Sequence, residues 1–165
     1  MIFGMSIGTF TVVHVVISLV AIVSGFIVTA GLFTSDSRPK WTALFLLMTL
    51  LTSVTGFMFP FVSVTPAFVT GIIALSALAV TLLALYVFRM MRVWRWVYVV
   101  TALFGLYLNC FVLVVQAFQK ISILHGLAPT QSEPPFLIAQ SSLLAAFIVI
   151  GFLAVPRFHP ELARA

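Results

Sequence analysis

Apolar and polar positions alternate along this chain on the scale of whole segments. Five long apolar runs, over about 6–33, 42–60, 67–88, 93–118 and 136–155, are separated by short polar breaks. A helix needs about 20 apolar residues to cross roughly 30 Å of hydrocarbon, and each run is near or above that length. The pattern predicts an all-α membrane bundle of five transmembrane helices forming one transmembrane domain over 1–165. All eight prolines (Pro39, Pro60, Pro66, Pro129, Pro134, Pro135, Pro156 and Pro160) fall in breaks or at run ends. Proline removes a backbone donor and clashes with the preceding helical turn, so this placement predicts five uninterrupted helices. It argues against a transporter built on broken helices. The longest break, 119–135, predicts a short amphipathic turn over 121–124 that Gly126 would end. A proline-stiffened loop would follow and re-enter the bilayer at Phe136.

Composition supports the membrane reading. The chain is 63% hydrophobic and 7% charged, with a mean hydropathy of +1.28. Soluble domains carry roughly 25% charged residues, and a water-soluble fold of this size could not cover so much apolar surface. The apolar N-terminal run far exceeds the roughly 7–15 residues of a signal h-region and has no basic residue before it. It is expected to stay in the membrane. Cys110 is the sole cysteine, so there is neither an internal disulfide nor a Cys-x-x-Cys motif.

The charges sort by break. Arg38 and Lys40 fall in the first, Arg89, Arg92 and Arg95 in the third, and Arg157 and Arg164 in the tail, while Lys120 alone falls in the fourth. With the N-terminus outside and the C-terminus inside, seven basic residues lie inside and one outside, as the positive-inside rule requires. Trp41, Trp94 and Trp96, with Tyr86 and Tyr98, then sit at inner run ends, and Phe61, Phe68, Phe118 and Phe136 at outer ones. The net charge of +5 belongs to headgroups, not nucleic acid, since no basic run carries interleaved aromatics for base stacking.

Polar side chains inside hydrocarbon are costly unless paired, which makes them the candidates for function. Thr11, His14, Ser18 and Gly25 follow helical spacing and are expected to face into the bundle. Gly105, Asn109 and Gln116 share one face of the fourth run. Thr49, Thr52, Ser53, Thr55 and Gly56 end the second, Thr70 and Gly71 begin the third, and Gln140, Ser141 and Ser142 begin the fifth. Given the orientation, most of these fall in the outer half of the membrane, with His14 and Asn109 each roughly 12 Å below the surface. The inner half reads as almost wholly apolar. The expected site is an outer polar cluster of His14, Asn109 and Gln116, covered by the loop holding His125 and Glu133.

The chemistry this cluster excludes is broad. No Asp, Glu, Lys or Arg lies in the interior of a run, which disfavours ion-coupled transport. Paired carboxylates, a nucleophile elbow, phosphate loops and metal spacings are absent, so no catalytic residue is assigned. The leading expectation is a non-enzymatic bundle that binds a small hydrophobic ligand or a partner membrane protein, including a second copy of the chain. The alternative is a haem- or quinone-binding redox subunit using His14, with His125 or Met58 as a second haem ligand.

Two stretches, 41–60 with Thr52-Ser53-Val54-Thr55-Gly56-Phe57-Met58-Phe59-Pro60 and 106–136 with Leu127-Ala128-Pro129-Thr130-Gln131-Ser132-Glu133-Pro134-Pro135-Phe136, resemble small uncharacterised multi-pass proteins of the bacterial inner membrane. The resemblance implies that location and brings no activity or functional residue with it.

Overall fold

The computed structural model describes residues 4–59 and 66–160. Pro60, Phe61 and Arg164, used in the reading above, lie outside the described residues. Helix α1 spans Ile7–Phe33, α2 Pro39–Phe57, α3 Pro66–Leu82, α4 Val93–Lys120, α5 Ser122–Leu127 and α6 Pro134–Arg157. Five helical segments, all but α5, are long and apolar enough to cross a membrane.

The helix ends follow local chemistry. Ser6 caps α1 by accepting from the Thr9 N–H at 3.1 Å. Pro39 and Pro134 open α2 and α6, where a missing N–H costs nothing. Both helices therefore start two or three residues before the apolar runs do. Lys40 and Trp41 occupy the first turn of α2, because an interfacial helix end tolerates a charge and an indole that a hydropathy count rejects. The turn expected at 121–124 is α5, which continues to Leu127 instead of ending at Gly126.

The helices are not all uninterrupted. Leu83–Val87 at the end of α3 is a π turn, and the Phe88 N–H donates to the Leu83 carbonyl at 2.9 Å. Arg89, Met90 and Arg92 follow with φ of 47°, 53° and 51°, in the left-handed region that β-carbons disfavour. The turn is held by a parallel stack of the Phe88 and Trp94 rings, 3.7 Å apart. Proline gives no warning of this break, since none is nearby. Pro156 does lie inside a helix, in the last turn of α6.

The core centres on α4, which packs against α1, α3 and α6. Val99, Ala102, Leu103, Leu106 and Cys110 of α4 are buried with Ile22, Leu32, Phe45, Leu78 and Phe147. Gly25 is where α1 meets this core. A β-carbon there would lie 2.6 Å from Leu106 Cδ1 and 3.0 Å from the Phe45 ring. The C-terminal segment returns to the α1–α2 turn, where Ser35 donates to the Arg157 carbonyl at 2.7 Å and Tyr98 packs on Phe158. Arg38, Lys40, Arg89, Arg92, Arg95 and Arg157 thus gather at one end of the bundle, and Lys120 lies at the other. These are called the basic end and the far end.

Candidate functional site

The polar residues expected to form one cluster form two separate pairs. Towards the far end, His14 Nδ1 lies 2.7 Å from Thr55 Oγ1, joining α1 to α2. Deeper in the bundle, Asn109 Nδ2 donates to Thr49 Oγ1 at 3.1 Å, joining α4 to α2. Thr49 and Thr55 are six residues apart on one helix, a rise of about 9 Å. His14 and Asn109 are therefore at different depths and not in a common pocket.

Gln116 and His125 join neither pair. Both are exposed, Gln116 on α4 and His125 on α5. The α1–α4 contact lies near Gly25 and Leu106, and nearer the far end α1 is paired mainly with α2. Thr11, Val12, Val13, Val15 and Val16 are exposed there. The expectation for Thr11 is overturned, since it is exposed and donates to its own Ile7 carbonyl. Ser18 is half-buried and donates to the His14 carbonyl. Ser141 and Ser142 are exposed, while Gln140 donates to the Phe111 carbonyl at 3.2 Å. Its Oε1 and the Thr52 hydroxyl are buried without a hydrogen bond.

The Thr55 hydroxyl has one hydrogen. With it donated to the Leu51 carbonyl at 2.6 Å, the oxygen accepts from the imidazole, and we assign the neutral ring its proton on Nδ1. Nε2 is left as an acceptor lone pair, with no partner among the described residues. Phe59 stands edge-on to the ring at 5.4 Å, and Gly56 leaves room beside Cε1, where a β-carbon would sit 3.6 Å away.

This lone pair is the form in which histidine ligates iron, with Nδ1–H bonded to an oxygen behind it. The remaining parts of a haem site are not assembled around it. His125 is exposed on α5 and makes no described contact with His14, and Met58 caps α2. A quinone presents carbonyl acceptors, which Nε2 cannot serve, although a quinol hydroxyl could donate to it. Two cavities lie elsewhere and do not border His14. One is a void of about 10 Å³ between Thr49, Thr81, Thr101 and Gly105. The other is a groove of about 220 Å³ between α1 and α2.

The half of the bundle nearer the basic end is less apolar than expected. Thr81 donates to Thr101 at 2.8 Å, tying α3 to α4. Tyr98, fully buried, places its hydroxyl 3.5 Å from Thr42 Oγ1. A mirror count locates such pairs, since Thr81 and Thr101 are equidistant from Met91 in the connecting turn. The same count about Ser35 pairs His14 with Thr55 to within a residue.

At the far end the α4–α6 loop is closed by Glu133. Its carboxylate accepts from the Thr130 N–H, the Thr130 hydroxyl and the Ser132 N–H. Desolvation pushes this carboxyl up, but the hydrogen bonds outweigh it, and its pKa falls below the ordinary value.

No protein family, no curated protein and no solved structure matches this chain.

Proposed function

We propose that the chain is a non-enzymatic, single-domain bundle of the bacterial inner membrane, N-terminus outside and C-terminus inside. It receives a helix of a partner membrane protein, or of a second copy, against the far-end half of α1. The observation that carries this reading is the unpartnered Nε2 of His14. In hydrocarbon an unmet acceptor is costly, and a hydroxyl or amide of a neighbouring helix would meet it. Thr11, Val15 and Ser18, at i, i+4 and i+7, make a ridge of small side chains beside the ring. Such ridges let helix backbones approach closely. The far-end half of α1 thus continues a polar face beyond the point where the bundle covers it. The excess of basic residues at the other end supports the orientation.

Native mass spectrometry from mild detergent tests this reading. The expected result is a discrete complex larger than the 18.1 kDa chain that falls apart in His14→Ala and Val15→Trp. A bare monomer in native-like lipid and in detergent contradicts it. A second reading, axial ligation of haem by His14, is favoured by the same tautomer. It requires a Soret band that His14→Ala abolishes.

A further inference from the structure

The groove between α1 and α2 lies on a flank of α1 away from His14, and none of the described residues fills it. Leu19, Val20, Val23 and Ser24 form one wall, and Trp41 and Leu44 the other. The lining is apolar apart from Ser24, whose hydroxyl is spent on the Val20 carbonyl at 2.6 Å. The groove offers about 220 Å³ of space, enough for part of one acyl chain.

Its mouth at the basic end is charged. Lys40 precedes Leu44 by four residues on α2, so it stands one turn nearer that end on the same face. Arg38 reaches across to α1 and donates from Nη1 to the Ile27 carbonyl at 2.9 Å, one turn beyond Val23. Gly31 makes that crossing possible. A β-carbon there would lie 2.5 Å from the Asp36 carbonyl and 3.0 Å from Arg38 Cδ, so only glycine lets the Asp36–Arg38 strap lie against α1. Asp36 pairs with Arg38 Nε at 3.3 Å and offsets part of its charge. Lys40 has no acidic partner among the described residues, and Trp41 stands at the rim, 43% exposed.

We propose that this groove holds one acyl chain of an anionic phospholipid, whose phosphate lies against Arg38 and Lys40. The apolar lining and the charged mouth match the two parts of that molecule, and a rim tryptophan belongs at headgroup depth. A zwitterionic lipid offers the same chain, but its headgroup has no net charge to complement Lys40.

The test uses the full chain in nanodiscs of equal phosphatidylcholine and phosphatidylglycerol, released for native mass spectrometry of retained lipid. One phosphatidylglycerol should be retained over phosphatidylcholine by about fivefold, the effect of one uncompensated basic residue near a membrane surface. Lys40→Gln should bring the ratio close to one while total retention persists. Val23→Trp, a lipid-facing substitution that fills the groove, should remove both lipids, and Lys120→Gln at the far end should change neither. Equal retention of the two lipids by the wild type, retention of neither, or undiminished retention in Val23→Trp overturns the proposal.

Discussion

Gly25 and Gly105 are both buried glycines in helices long and apolar enough to cross a membrane, yet an added methyl group should act on them in opposite directions. In a helix interior, alanine is favoured over glycine by about 0.5–1 kcal/mol through backbone entropy. At Gly105 nothing lies within 4 Å of the new β-carbon, and the neighbouring void is about 10 Å³. Filling such a void recovers about 0.2 kcal/mol at 24 cal/mol per Å³. Gly105→Ala should therefore stabilise the bundle by about 1 kcal/mol. At Gly25 the β-carbon would meet Leu106 Cδ1 at 2.6 Å and Phe45 at 3.0 Å. Both side chains are almost fully buried, 1% and 2% exposed, and have nowhere to retreat. Overpacking of this kind costs about 1–3 kcal/mol, which exceeds the propensity gain. Gly25→Ala should lose about 1 kcal/mol, so the two variants should differ by about 2 kcal/mol in unfolding by dodecyl sulfate titration in mild detergent. Equal shifts of the same sign would show that α1 does not cross the core at Gly25, and the packing argument would fail with it.

Two further predictions address the polar contacts. A double-mutant cycle of His14→Ala and Thr55→Val, read by the same titration, should give a coupling of about 0.6 kcal/mol, typical of an interhelical hydrogen bond in a membrane. A coupling of zero would remove the basis for the Nδ1 assignment. The second concerns Glu133, whose folded-state pKa lies below the ordinary 4.5. A depressed carboxyl stabilises the loop above its unfolded value and loses that contribution as pH falls through the folded one. The Thr130 and Ser132 amide resonances should titrate together with a midpoint under 4.5, and Glu133→Gln should abolish the step. A midpoint above 4.5 would contradict the hydrogen-bond set.

The sequence announced five helices long and apolar enough to cross a membrane, because that is a one-dimensional demand, met by apolar length alone. The segregation of Arg38, Lys40, Arg89, Arg92, Arg95 and Arg157 from Lys120 was legible for the same reason, once the helix order alternated. Partner choice between helices was not. Asn109 and Gln116 share a nominal face, yet one is buried against Thr49 and the other is exposed, because burial depends on which neighbouring helix reaches each level. Thr81 and Thr101 look like ordinary threonines within reach of their own helix carbonyls, and only the mirror count about the turn brings them together. The π turn at Leu83–Val87 arises from how α3 meets Arg89, Met90 and Arg92 in left-handed conformations, for which no residue type in that stretch is a signal. His14 was recognisable as a lone histidine within an apolar run. Its free lone pair was not, since that rests on the single hydrogen of Thr55.

The central claim is that the far-end half of α1 faces protein and not lipid alone. Cysteine crosslinking in native membranes tests it most directly, with Cys110→Ala as the background. Val15→Cys, beside His14, should form a specific crosslink, to a second copy or to one partner of fixed mass. Phe152→Cys, on the lipid-facing side of α6 and 81% exposed, should form none. No crosslink at Val15, or equal crosslinking at both positions, would contradict the account.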